Sequence, residues 1–288
     1  MNYCVTNRIF SVPMGIKWVV IILILTTFNT WASPEIIASS ELKKTLRAHA
    51  IPKYDFKVIH TYPHNSQRFT EGLVLHDDKL YESQGLYHQS KLSIMEFPTL
   101  TPIRNVTISS RYFSEGITII ENNLYLLTYR EHQGFVFDKS TLKLKNHFSF
   151  KGEGWGLTSA KNELIMSNGS GILTYLSTTD FKPIKQLAVT IGEKLLSGLN
   201  ELEYVQEKIY ANVLPTSIIV MISSKTGQVE GWIDIESLKP TKVCHPNVCV
   251  ANGIAYYPKH QSFLITGKFW PLLYEVKIRC RQKNKCPA

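Results

Sequence analysis

Five short segments of similar pattern recur along this chain at nearly even spacing, and that repeat limits the possible folds more than any other feature. They are Phe69-Thr-Glu-Gly-Leu73, Phe113-Ser-Glu-Gly-Ile117, Glu153-Gly-Trp-Gly-Leu157, Leu199-Asn-Glu-Leu202 and Ala251-Asn-Gly-Ile254. Their equivalent positions, Gly72, Gly116, Gly156, Glu201 and Gly253, are 44, 40, 45 and 52 residues apart. A second apolar strand follows each one: Leu80-Tyr-Glu-Ser83, Leu124-Tyr-Leu-Leu127, Leu164-Ile-Met-Ser167, Ile209-Tyr-Ala-Asn212 and Phe263-Leu-Ile-Thr266. Most copies add a third, such as Gly134-Phe-Val-Phe-Asp138 or Ile218-Ile-Val-Met-Ile222, with turn signals at Asn122-Asn123 and Lys225-Thr-Gly227. A period near 45 residues with three or four short strands per copy is the pattern of propeller blades. Five copies therefore predict an all-β, five-bladed β-propeller over residues 55–288. A two-sheet sandwich would leave the fixed period unexplained.

Length alone, at 288 residues, also allows two domains. The repeat removes that option by using most of the chain for one ring. Apolar residues at 44% and charged residues at 19% provide a sizeable core and exclude general disorder. The capped apolar pattern over 39–49 predicts one short helix outside the blades, in an N-terminal extension of residues 33–54. Residues 236–250 read as an insertion that lengthens the fourth spacing.

The first 32 residues form a separate segment. Arg8 and Lys17 precede an uncharged apolar run from Trp18 to Phe28, and small residues follow at Thr30, Ala32 and Ser33. This is the arrangement of a secretory signal peptide, with a cut after Ala32; an uncleaved anchor is the alternative. The chain is then exported, to a periplasm or the outside, with no stable membrane partner, and acts as a monomer. Losing the segment reduces the net charge from +9 to +7. The remaining excess is spread out except near Lys277–Lys285 and lacks interleaved stacking aromatics, so nucleic acid is not an expected partner.

Four cysteines remain, Cys244, Cys249, Cys280 and Cys286, all near the C-terminus. An even count in an exported chain predicts disulfides, in any of three connectivities. A zinc site with His245 is the rival, on spacings that suit zinc poorly. His60, His64, His88 and His132 are scattered and read as surface or loop residues. Asn105-Val-Thr107 is a glycosylation sequon in a eukaryotic secretory host.

Inner strands of propeller blades line a central channel, so equivalent repeat positions form rings. The position before the repeated glycine holds Glu71, Glu115, Trp155, Asn200 and Asn252. A second ring, at the end of the next strand, holds Gly85, Tyr129, Gly169, Leu214 and Lys268. Acids, amides, aromatics and one lysine thus converge on a single mouth.

Nine motifs in order, from Tyr62-Pro-His through Tyr81-Glu-Ser-Gln-Gly-Leu-Tyr87, Gly152-Glu-Gly-Trp-Gly-Leu157 and Leu199-Asn-Glu-Leu-Glu-Tyr204 to Thr266-Gly-Lys-Phe-Trp-Pro271, carry a family resemblance. The chain resembles the plant and bacterial glutaminyl-peptide cyclotransferases from about Phe56 to Ile278. The resemblance implies a five-bladed propeller, no cofactor and no metal. It also implies an enzyme that converts the N-terminal glutamine of a peptide or protein to pyroglutamate and releases ammonia. On matching positions, Glu115 is the catalytic proton carrier, and Asn200 and Lys268 hold the amide oxygen. Phe69, Phe113, Tyr129, Trp155, Trp270, Glu71 and Asn252 are expected to bind substrate.

Each of these residues also has a plainer reading. Glu115 could cap backbone amides, Asn200 and Asn252 could satisfy buried backbone, Lys268 could form an ion pair with Glu71 or Glu115, and Trp155 could be blade core. The chain departs from the family pattern at Glu71, where the family has Gln, and at Tyr129 and Leu214, where it has Trp. Pro215-Thr216-Ser217 and Asn168 are further departures. Glu71 is expected to bind a cationic amine or to raise the pKa of Glu115 by like-charge proximity. A non-catalytic propeller that binds peptide ends at the same mouth is the main functional alternative. A calcium-dependent hydrolytic propeller ranks last, because Lys268 would repel the cation.

Overall fold

Alternation of buried and exposed residues over short runs, broken by tight turns, folds the repeat into antiparallel four-stranded sheets. The computed structural model describes residues 35–241 and 248–280. The first sheet runs Thr70–His76, Lys79–Gln84, Lys91–Glu96 and Pro102–Thr107, and the second Ser114–Ile120, Asn123–Thr128, Gln133–Asp138 and Leu144–Ser149. The third contains Leu157–Ala160, Glu163–Met166, Ile172–Ser177 and Pro183–Ala188; the fourth contains Leu199–Val205, Lys208–Val213, Ile218–Ser223 and Val229–Asp234. Two hairpins turn on Asp77-Asp78 and Gln206-Glu207, all four at positive φ. That is the mirror-image turn whose twist matches the strands it joins.

The last sheet closes the chain on itself. Ala251–Tyr257, Ser262–Gly267 and Leu272–Cys280 pair in order, and the N-terminal strand Lys53–Pro63 pairs antiparallel with Leu272–Cys280, from Tyr54 opposite Cys280 to Pro63 opposite Leu272. Lys53 and Tyr54 also pair in parallel with Trp232 and Ile233 of the fourth sheet. The first strand of each sheet contacts that of the next, and the fifth returns to the first. The result is a nearly all-β, propeller-like architecture.

The repeated glycines mark where these inner strands touch. A β-carbon on Gly116 would lie 2.4 Å from the backbone nitrogen of Leu157, and one on Gly72 would lie 2.6 Å from that of Ile117. Side chains would force the strands apart, so glycine is required by close backbone approach. At the fourth position Glu201 stands in place of glycine. It is buried, and its carboxyl oxygens accept the backbone N–H groups of Leu73 (3.3 Å) and Ile254 (2.8 Å) across the axis.

Apolar layers fill the spaces between sheets. The N-terminal segment forms a 3-10 turn, Ser39–Glu41, and a helix, Leu42–Ala48, whose buried Leu42 and Leu46 join the layer between the third and fourth sheets with Tyr175, Ile191 and Trp232. Ile36–Ile37 pairs with Lys194–Leu196 beside it. Within residues 236–250 a short 3-10 turn, Glu236–Leu238, follows the fourth sheet. The signal segment 1–32, Cys244, His245 and Cys286 lie outside the described residues. No helix among the described residues is long and apolar enough to cross a membrane.

Gly116→Ala tests the close approach of inner strands. The added methyl overpacks two backbones, so stability falls by about 1–3 kcal/mol, read as a lower urea midpoint with an unchanged slope. An unaltered midpoint would show that the second and third sheets have room to separate.

Candidate active site

Four inner strands break register at equivalent points: between Thr70 and Gly72, Ser114 and Ile117, Leu199 and Leu202, and Ala251 and Ile254. Each break re-aims the residues within it, as β-bulges do, and Glu71, Glu115, Asn200 and Asn252 occupy these four breaks. The third sheet starts only at Leu157, which leaves Trp155 in the preceding segment. Two serines, Ser83 in the second strand of its sheet and Ser167 just after that of its own, tie neighbouring sheets together there. Ser83 Oγ donates to the Glu115 carbonyl (2.6 Å) and Ser167 Oγ to the Asn200 carbonyl (2.7 Å).

Together these elements enclose a cavity of about 250 Å³ lined by Phe69, Glu71, Phe113, Glu115, Tyr129, Trp155, Asn200, Leu214 and Lys268. Larger cavities lie nearer the outer strands. Lys268 Nζ donates to Glu71 Oε1 (2.8 Å) and sits 4.5 Å from the centre of the Phe69 ring. Asn252 Nδ2 donates to Glu71 Oε2 (2.9 Å) and to the Thr70 carbonyl (2.9 Å), while Asn252 Oδ1 accepts from Asn200 Nδ2 (2.8 Å). The Glu115 and Glu71 carboxyl groups lie close enough to interact electrostatically. Lys268 is set by a turn in which Phe269 takes φ +60° and gives its N–H to the Arg68 carbonyl.

Rings wall the cavity. Phe113 meets Phe69 edge-on at 6.0 Å, Tyr87 at 5.4 Å and Tyr129 at 5.7 Å. The glycines of the second ring explain their own presence: a β-carbon on Gly85 would lie 2.3 Å from the Phe113 ring, and one on Gly169 2.7 Å from the Trp155 ring. Trp155 Nε1 donates to Glu153 Oε2 (3.0 Å). Arg130 Nε donates to Glu153 Oε1 (3.1 Å), and its Nη2 donates to the Tyr129 hydroxyl (3.0 Å).

Two carboxyl groups in so dry a place cannot both ionise freely. Glu71 is 1% exposed and Glu115 6%. Burial first, and then the charge on Glu71, holds the Glu115 carboxyl well above the ordinary range. Burial also raises Glu71, but Lys268 beside it opposes the shift and leaves Glu71 the more acidic member. One proton shared between the two, with the negative charge facing Lys268, satisfies both groups, and the pair titrates as a unit.

Eight of the ten residues expected from sequence therefore line one cavity. Asn252 does not; it is fully buried behind Glu71 and orients that carboxylate. Trp270 does not either. It lies in the core of the fifth sheet, fully buried, with Nε1 toward the Cys249 carbonyl (3.4 Å). The ion-pair reading of Lys268 describes its resting contact. His64 is not a surface residue: it is buried against Glu82 and the Trp270 carbonyl. Asn168 lies in a turn and accepts from Ser170 Oγ (2.6 Å), outside the cavity. Sequence reading missed Ser83 and Ser167, although both occupy the same repeat position, and the rim pair Arg130–Glu153.

The class of protein is thus a propeller-like, all-β enzyme fold with a buried acid pair and aromatic walls at its mouth. The family model described as glutamine cyclotransferase matches residues 30–278. The chain belongs to the glutamine cyclotransferase family, whose named members are enzymes. It is 30% identical over 272 residues to a glutaminyl-peptide cyclotransferase of Arabidopsis thaliana, covering 93% of this chain and 82% of that one. It also superposes on the crystal structure of Myxococcus xanthus glutaminyl cyclase with a TM-score of 0.73 at 29% identity, covering 81% of this chain and all of that one.

The raised Glu115 carboxyl has a thermodynamic signature. The unfolded chain loses this proton near the ordinary glutamate value while the folded chain keeps it, so wild-type stability falls as pH rises from about 4.5 toward the folded value. Glu115→Gln has no such proton to keep. Its stability relative to wild type should therefore increase between pH 4 and pH 8 in urea melts. A difference that does not change with pH would mean that Glu115 ionises normally.

Proposed function

We propose that the cavity cyclises the N-terminal glutamine of peptides or proteins to pyroglutamate with release of ammonia, by acid–base chemistry on the chain's own side chains. The observation that carries this reading is a buried Glu115, its carboxyl held well above the ordinary range, facing a cavity of about 250 Å³ in which the neighbouring Glu71 is bonded to Lys268. Cyclisation needs a neutral α-amine, a folded side chain and a proton for the leaving nitrogen.

Phe69, Phe113, Tyr129 and Trp155 supply the walls that hold the glutamine side chain curled over its own amine, which is the proximity component of ring closure. The amine nitrogen attacks the side-chain carboxamide carbon, and the carbonyl oxygen takes the negative charge. Lys268 Nζ and the second N–H of Asn200 Nδ2 are donors for that oxygen. Glu115 gives its proton to the amide nitrogen as the C–N bond breaks, and its carboxylate takes one from the attacking nitrogen. The products are the lactam and ammonia, and Glu115 ends as it began.

Export completes the proposal. The even count of four cysteines beyond the signal segment read from residues 1–32 supports an oxidising compartment.

Ammonia release from a Gln-initiated peptide tests the activity, with wild type, Glu115→Gln and a chelator-treated sample side by side. Wild type should turn over with and without chelator, and Glu115→Gln should lose about 10²–10⁴-fold in kcat. Binding without turnover at any pH would instead identify a peptide-end receptor. Activity abolished by the chelator would point to a metal-dependent reaction.

The pH profile offers a second test. Glu71→Gln removes the like charge that helps to hold the proton on Glu115, and it frees Lys268 to lower that group further. The alkaline limb of kcat/KM should move to lower pH. A limb that stays in place would remove Glu115 as the acid.

A further inference from the structure

Beside the catalytic cavity lies a second and larger one, of about 820 Å³, between the first sheet and the turn that carries Lys268. Phe69 belongs to both. Its ring packs edge-on against Phe269 at 5.2 Å and against Phe113 at 6.0 Å, so Phe69 is the wall that the two cavities share. The floor is polar, made by Gln84, Ser93 and Asn105, which share one face of the first sheet. Of these, the amides of Gln84 and Asn105 are accessible to a passing backbone, and Ser93 is buried beneath them.

Its charge is one-sided. Arg68, Lys91 and His88 line the groove and no carboxylate does so among the described residues. The Arg68 guanidinium is already spent on the buried Glu82. Lys91 is exposed at the start of its strand, and no ion pair to it is formed among the described residues.

We propose that this groove is the subsite for the polypeptide that follows the N-terminal glutamine, and that Lys91 makes it favour an acidic side chain there. The subsite presupposes the cyclase reading of the neighbouring cavity. A substrate whose glutamine occupies the small cavity must lead its chain out past one of the aromatic walls. Among the described residues, the Phe69 wall is shared with a groove that is polar, lined with hydrogen-bonding side chains and free of opposing carboxylates. The site thereby reads more than the terminal residue: backbone binding extends affinity to longer chains, and Lys91 adds a charge preference.

The test compares Gln-Ala amide, Gln-Ala-Asp-Ala amide and Gln-Ala-Lys-Ala amide. The aspartate peptide should show a KM about two- to fivefold below that of the lysine peptide, the scale of one exposed ion pair, and the difference should vanish in 1 M salt. Lys91→Glu should invert the order. Equal kcat/KM for all three substrates, or an aspartate preference that survives Lys91→Glu, would overturn the proposal.

Calorimetric titration of Glu115→Gln with the two tetrapeptides separates this claim from the cyclase reading. An aspartate-over-lysine order in binding, with no turnover of any substrate by wild type, would support the groove and defeat the cyclase. Turnover of all three substrates with no order in binding would defeat the groove alone.

Discussion

Backbone contact between successive inner strands is the constraint on which the rest of this structure depends. Gly72, Gly116 and Gly156 allow it, since a β-carbon at any of them would sit within about 2.6 Å of the next strand. A narrow axis follows, and residues just before the glycines are forced toward one another. Register breaks at those points turn Glu71, Glu115 and Asn200 into the mouth and seat Asn252 behind them. Ser83 and Ser167 then tie each strand to its neighbour. The same tightness buries the carboxyl groups, so the chemistry of the mouth is a consequence of its packing.

Burial of two neighbouring carboxyl groups sets the character of the site. In solvent each would ionise independently; here burial favours the neutral form of both, and Lys268 decides which one carries the charge. A glutamine at position 71 would remove the like charge and leave Lys268 without its partner. Glu71 therefore makes the site a carboxyl pair with Lys268 as its counter-charge. The rim acts on the walls instead: Glu153 holds the Trp155 indole, and Arg130 bridges Glu153 to Tyr129. Tyr129 supplies a ring to the cavity wall, and Leu214 lines it with an aliphatic side chain.

Most of the fold was legible because a repeat constrains all copies at once. Segments alike at 40–52 residue spacing imply equivalent positions, and equivalence alone brings Glu71, Glu115, Trp155, Asn200 and Lys268 to one place. Where the pattern is interrupted, that reasoning weakens. Trp270 follows Lys268 by two residues and was assigned to the mouth, but the left-handed turn at Phe269 sends it into the core. Asn252 occupies the right ring position and is still covered, because the Glu71 carboxylate lies over it. His64 looked like a loop residue, since nothing local marks its buried partner Glu82, 18 residues away. The tie made by Ser83 joins residues 32 apart and the rim pair Arg130–Glu153 residues 23 apart. Such contacts are set by how sheets pack, which one copy of a repeat does not reveal.

All of this depends on one proton remaining with the acid pair at neutral pH. Infrared spectroscopy of the protein at pH 7 reads it directly, through the carbonyl stretch of a protonated carboxylic acid. The difference spectrum between wild type and Glu115→Gln should show the loss of a protonated-acid band. Loss of a carboxylate band alone would mean that Glu115 is ionised at rest, and would contradict the shared-proton account of the site.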